Sequence, residues 1–194
     1  MSELALKAPS NTLLRLRAAA RELFVRDGYH TTRPQDIARV AGVANGTFYL
    51  HFKDKKVAFL DFAAEAQTEL VGMQKLSLEG VEGHRERWRV IFDVIITFGI
   101  DHPGVLSAAF LDPVLIAPDD EEAWHMYNRM GEFIGLAMDL ENQNVAQEYD
   151  MALISHAICG MLRHALTYAS RNKVERKKLI DDLSLFIDRG LGFG

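Results

Sequence analysis

The sequence predicts an all-α protein of about nine helices. Apolar residues recur at i, i+3 and i+4 through every long segment, and no segment alternates between apolar and polar residues in the manner of a strand. Glycines, prolines and capping residues fall where helices must stop or start. No internal repeat of 20–50 residues and no low-complexity tract interrupts the pattern.

Leu13, Leu16, Ala20, Leu23 and Phe24 share one face of a first helix, which Gly28 is suited to end. Thr31, Thr32, Arg33 and Pro34 announce a second, short helix over about 34–41, because the N–H that proline lacks has no helical partner in a first turn. Gly42 and Val43 form the turn into a third short helix over about 45–51, and Asp54 starts a fourth that runs towards residue 75. Gly80 and Gly83 break the pattern. A fifth helix over about 85–101 carries Trp88, Ile91, Phe92, Val94, Ile95, Ile96 and Phe98; apolar on nearly every side, it should be enclosed by other helices. Pro103 begins a short sixth. After Pro113 and Pro118, the acids Asp119, Asp120, Glu121 and Glu122 suit the positive end of a helix dipole and open a seventh helix reaching about residue 141. Asn144 with Gln147 resembles a capping pair for an eighth helix over about 145–170, and a ninth runs over about 174–191.

At 194 residues and 48% hydrophobic, the chain can bury a substantial core. Its single cysteine, Cys159, excludes an intramolecular disulfide framework and a multi-cysteine zinc site. Nothing near Met1 resembles a signal peptide, so a cytoplasmic address is expected. The most apolar stretch, 90–100, contains Asp93, follows Arg85, Arg87 and Arg89, and is well short of the roughly 20 apolar residues of a membrane span. The net charge of −5 conceals a division: through Lys56 there are ten Lys and Arg against five Asp and Glu, and thereafter twelve against twenty-two. A small basic module, residues 1–56, thus precedes an acidic one, residues 57–194, and the basic part is the one suited to phosphate.

The most informative segment runs from Gly28 to Lys55. It holds a glycine helix stop, Thr32 shortly before Asp36-Ile37-Ala38, an Ala41-Gly42-Val43 turn and the run Gly46-Thr47-Phe48-Tyr49-Leu50-His51-Phe52. Ile37, Ala38 and Ala41 give the second helix a small apolar face, Gly42 can take the positive φ of a tight turn, and Val43, Phe48 and Phe52 can anchor the third helix from behind. Asn45, Thr47, Tyr49 and His51 are then left outward with hydrogen-bonding groups, and Gly46 permits close approach of the backbone.

Over about residues 12–60 this segment resembles the DNA-binding signature of TetR/AcrR-family transcriptional regulators, whose helix order the rest of the chain shares. The resemblance implies a helix-turn-helix DNA-binding domain over 1–56 and a ligand-binding and dimerisation domain over 57–194. The function implied is a repressor released from a palindromic operator by a small, largely apolar effector. It further implies that Tyr49, His51 and Lys55 meet phosphates, that Asn45 and Thr47 are placed for bases, and that Gln35, Gly46 and Arg33 add contacts to double-stranded DNA. Two positions depart from the family pattern: Ala44 stands where a capping Ser or Thr is usual, and Arg33-Pro34 replaces a small polar and aliphatic pair.

The eighth and ninth helices resemble the family's dimer-forming pair, which implies a homodimer contact through Met151, Ile154, Ile158, Leu162, Leu183, Phe186 and Ile187. Two copies are needed because each module reads few base pairs and successive major-groove faces lie about 34–36 Å apart. Large apolar residues in helices five to eight favour an effector pocket; the candidates are Phe92, Ile95, Ile96, Phe110, Trp124, Tyr127, Asn128, Met130 and His156. The competing classes are a helical enzyme and a protein-interaction module with a degenerate DNA-binding head. Against an enzyme, the sequence lacks a glycine-rich phosphate loop, a nucleophile elbow and an acidic metal cluster, and His156, Cys159 and His164 read as packed core. No catalytic residue, cofactor, metal or membrane partner is expected.

Overall fold

The computed structural model describes residues 10–110, 119–138 and 149–192, and among them every regular element is an α-helix. The first, α1 (Asn11–Thr31), starts where the Ser10 hydroxyl accepts from the Leu13 amide at 3.2 Å. It buries Leu16, Ala19, Ala20, Leu23 and Phe24. Gly28 breaks its course at φ 79°, a conformation costly for any residue with a Cβ. The Thr32 hydroxyl then donates to the Gly28 carbonyl at 2.8 Å and the Leu23 carbonyl at 3.3 Å, satisfying groups that the helix end leaves without partners.

Next come α2 (Pro34–Val40) and α3 (Asn45–His51), set off from each other by Gly42 at φ 64°. A Cβ on Gly42 would come within 2.6 Å of Arg15 Nη2, and that guanidinium donates to the Gly42 carbonyl at 3.0 Å. The turn therefore requires glycine for its φ, and the end of the flexible Arg15 side chain packs over it. Asp54 caps α4 (Lys55–Ser77) by accepting from the Val57 amide at 2.9 Å, and at 23 residues α4 runs roughly 35 Å along the molecule. Phe24 and Tyr29 of α1 each meet the ring of Phe59 edge-on at 5.1 Å, joining the two helices through aromatic contact.

On this spine stand α5 (His84–Asp101), α6 (Val105–Phe110), α7 (Glu121–Met138), α8 (Met151–Asn172) and α9 (Arg176–Gly190). α5 is central, in contact with α4, α6, α7 and α9, and buries Trp88, Ile91, Phe92, Val94, Ile95 and Phe98. Its enclosure is incomplete in the last turn, where Phe98 is buried but Ile100 is exposed. α6 lies against both α1 and α4. α8 begins later than its sequence predicts: Tyr149 and Asp150 are not helical, and the Asp150 carboxylate accepts from the amides of Ala152 and Leu153, both at 3.1 Å. A charged carboxylate serving two otherwise unpaired amides fixes the start there. Asn144 and Gln147, and residues 139–141 of the predicted seventh helix, lie outside the described residues.

Ionic contacts tie α1 to α4 and α4 to the start of α7. Arg17 grips Asp61 with two bonds at 2.9 and 2.7 Å and reaches Glu65 at 2.9 Å; Lys56 pairs with Asp120, the residue before α7; and Arg21, Glu69 and His102 meet where α1, α4 and the end of α5 converge.

Candidate nucleic-acid interface

The face of α3 follows from its anchor. Phe48 is wholly buried against Phe52 and Tyr49, with ring centroids 5.5 and 5.2 Å away, and Ile37, Ala38 and Ala41 complete the small core beneath it. With one side fixed inward, the remaining positions are dictated by the helical advance of about 100° per residue. Asn45, Gly46, Tyr49, Leu50 and His51 are exposed, and Thr47 is half-buried on the flank. Arg33 and Gln35 are exposed at the start of α2. The outward residues expected from the sequence are thus open to solvent on α2 and α3, except for half-buried Thr47.

Two details change the picture of that end. Ala44 is the residue before α3 and supplies no side-chain cap, and Asn45 is already helical, so the helix forgoes about 1 kcal/mol of capping. Lys55 is engaged within the protein: its ammonium donates to the Tyr29 carbonyl at 2.8 Å and to that of His30 at 3.4 Å, and sits 4.2 Å from the centroid of the Tyr29 ring. Partial burial there lowers its pKa below the ordinary lysine value. The sequence reading passed over Leu50, at 81% exposure the most open of the large apolar side chains on the described surface.

The second concavity lies in the body. A cavity of about 430 Å³ opens between α5, α6 and α8, with Leu70 of α4 on its wall. Ile95, Ile96 and Phe110 line it, as expected, together with Gly99, Gly104, Leu106, Ser107, Cys159, Leu162, Arg163, Leu166, Thr167 and Ser170, which the sequence reading did not select for a pocket. Burial pushes the Cys159 thiol up to about 11, so it stays protonated at neutral pH.

Other expected pocket residues are elsewhere. Phe92 is core, stacked on Trp88 at 5.8 Å. Trp124, about half exposed, begins a surface stack in which Tyr127 lies 5.4 Å from it and His156 lies 4.6 Å from Tyr127, nearly parallel, with His156 Nε2 3.3 Å from Asn128 Oδ1. These four residues pair with one another between α7 and α8 and do not line the cavity. The side chains of Met130 and Met151 lie outside the described residues.

The expected dimer face is also redistributed. Ile158, Leu162 and Ile187 are buried within the protomer, and Ile154 and Leu183 are half-buried against the same core, so they have little or no surface to offer a partner. The exposed apolar residues are Phe186, as expected, with Leu153 and Tyr168 of α8. Among the described residues, no group of three or more His, Cys, Asp or Glu could hold a metal ion, and no helix is long and apolar enough to cross a membrane.

Residues 16–60 match the family described as bacterial regulatory proteins, tetR family. Over 53 residues the chain is 38% identical to the fatty acid metabolism regulator protein of Bacillus subtilis, a match that spans 27% of each protein. Across nearly the whole chain the fold resembles that of the fatty acid degradation regulator FadR from Bacillus halodurans, at TM-score 0.69 and 20% identity, covering 92% of this chain and 95% of that one. It also resembles the transcriptional regulator FadR from Bacillus subtilis, solved in complex with stearoyl-CoA, at TM-score 0.66 and 17% identity, covering 89% and 97%.

Proposed function

We propose that this chain, which carries the tetR-family module over residues 16–60, is a homodimeric repressor that leaves a palindromic operator when a long-chain acyl effector binds. The observation that carries the reading is the face of α3: the side opposite buried Phe48 is open, narrow and polar at its flanks, as a helix entering the roughly 12 Å wide major groove requires. Asn45, Thr47, Tyr49 and His51 supply hydrogen bonds, with Gly46 allowing close approach, and Arg33 and Gln35 reach the groove wall from α2. Lys55 turns from the Tyr29 and His30 carbonyls to a phosphate, exchanging neutral acceptors for a charged one.

Exposed Phe186 of α9 and Leu153 and Tyr168 of α8 are the apolar side chains available for pairing two copies, which would hold their recognition helices at a fixed separation. The effector occupies the cavity between α5, α6 and α8. Its wall is chiefly aliphatic and aromatic, with Ser107, Arg163, Thr167 and Ser170 as the polar exceptions, which suits an extended hydrocarbon with a polar end. The relatives named above support an acyl thioester of the stearoyl-CoA kind.

Coupling has a short route. Gly104, on the cavity wall, is so close to α1 that a Cβ there would meet Val25 Cγ1 at 2.6 Å, and Arg21 of α1 lies 3.2 Å from His102 Nδ1. An effector that fits better when α6 moves therefore favours a changed tilt of α1 and, through α2 packed on it, of α3. Only such differential affinity can shift the population, and DNA must weaken effector binding by the same factor.

The test is to select duplexes from a random pool with the purified protein and follow their release by fluorescence anisotropy during a stearoyl-CoA titration. DNA affinity should fall by about 5- to 150-fold, and Ile96→Trp, which fills the cavity, should keep DNA binding and lose the release. Failure to enrich any duplex at low salt contradicts the DNA-binding reading; acyl-CoA binding that leaves DNA affinity untouched contradicts the coupling.

A further inference from the structure

Leu50 is the anomaly of the exposed face. Polar residues surround it, yet it is a leucine with 81% of its surface open, and burying such a side chain is worth about 1.5–3 kcal/mol that this position forgoes. Its place on the helix is specific. Two residues beyond Phe48, Leu50 stands roughly 160° around α3 from the anchor, and Gly46, two residues before it, stands roughly 160° round the other way. Leu50 and Gly46 thus lie one turn apart on the ridge farthest from the core, while Tyr49 and Thr47 fall to its sides and Asn45 and His51, at the two ends of the helix, stand nearer the anchor. A surface that approaches α3 broadside meets the Leu50–Gly46 ridge, and Gly46 offers no side chain to hold the two surfaces apart: a Cβ there would find nothing within 4 Å.

Resting on the DNA-binding reading above, we infer that Leu50 selects the operator by covering the C5-methyl group of a thymine in each half-site. The floor of the major groove is lined with hydrogen-bond donors and acceptors, and the thymine methyl is its one apolar feature. An aliphatic side chain at the crest of the helix gains nothing from the polar base edges and displaces water from them without replacing its bonds. Against a methyl it buries apolar surface on both partners. Cytosine in place of thymine presents an amino donor to the leucine and no methyl, so the contact discriminates at that base pair without a hydrogen bond.

The experiment replaces thymine by deoxyuridine, which removes the methyl and leaves base pairing and groove polarity intact. Duplexes enriched by the wild-type protein from a random pool are resynthesised with single thymine-to-uracil changes, and affinities are measured for the wild type and for Leu50→Ala. At one thymine per half-site the wild type should lose about fourfold for one methyl and about sixteenfold for the symmetric pair. Leu50→Ala should melt as the wild type does, bind the thymine operator more weakly and show no loss at that position. Indifference of the wild type to uracil at every thymine, or an unchanged thymine preference in Leu50→Ala, overturns the assignment to Leu50 while leaving DNA binding intact. If the wild type enriches no duplex at all, both the assignment and the reading beneath it fall.

Discussion

The head formed by α1–α3 and the body formed by α4–α9 are built from the same apolar alphabet, but they use it differently. In the head, each large apolar residue that looks inward has one place to go: Phe48, Phe52 and Ile37 fill a core too small to offer alternatives. In the body, an apolar residue has three destinations, namely the core, the cavity wall or an open face. Neighbours in sequence divide among them: Phe92 is core, Ile95 and Ile96 touch the cavity, and Ile100 is exposed. A small module therefore has a nearly unique arrangement for its sequence, whereas a larger bundle can hold empty volume and uncovered surface, the two features that ligand sensing and assembly need.

The sharpest way to break this comparison is at the anchor of the head. Phe48→Ala deletes a fully buried ring from a small core whose other members are already packed, and should cost about 3–5 kcal/mol. Chemical denaturation should show that loss together with the disappearance of DNA binding. Trp124→Ala, which removes a bulkier but half-exposed ring from the surface stack, should cost under about 1 kcal/mol. Equal losses at the two sites would erase the distinction between a tightly determined head and a tolerant body surface.

The next effect separates two adjacent residues of α9. Phe186 is 68% exposed and Ile187 is 4% exposed. Phe186→Glu places a charge on the open face without disturbing the protomer core; it should yield monomers in light scattering and weaken operator binding by about a hundredfold or more as two-site engagement is lost. Ile187→Ala should instead cost about 2–5 kcal/mol of protomer stability while the protein that remains folded keeps the wild type's oligomeric state. A dimer that survives Phe186→Glu would move the interface away from α9.

These contrasts explain what was legible in the sequence. The limits of α3 and the glycine at the α2–α3 turn were readable because Phe48 and Phe52 at i and i+4, with Gly42 before them, leave one geometry for the backbone. Leu50 was passed over because the outward face was searched for hydrogen-bonding groups, and a leucine has none. Ile158 and Leu162 were correctly grouped on one face of α8, but periodicity says which residues share a face, not what covers it, and the structure turns that face inward. The cavity was only half visible for a related reason. Part of its space comes from the small residues Gly99, Gly104 and Ser107, and missing volume leaves no periodic signal in a sequence.

The smallest expected effect concerns a contact within the body, between Lys56 at the start of α4 and Asp120 just before α7. The bond from Lys56, and after it the backbone amide of Ala123, hold the Asp120 carboxyl below its ordinary value of 3.8, while the same pairing raises Lys56 above 10.5. A carboxylate whose folded pKa lies below its unfolded one stabilises the fold at pH above the unfolded value, and loses that contribution as pH falls through the folded one. A lysine with a raised folded pKa contributes below its unfolded value and loses it as pH climbs through the folded one. The pair therefore stabilises across a plateau from near pH 4 to near pH 10, with its losses on the acid side below 3.8 and on the alkaline side above 10.5. Lys56→Ala should lower Tm by a small, constant amount across that plateau, and the difference from the wild type should close as either edge is passed. The pair is only half-buried, which keeps the shift small, and added salt should reduce it further. A difference in Tm that persists unchanged well below pH 3.8 would mean that Lys56 acts through the packing of its aliphatic stem on α7 rather than through its charge.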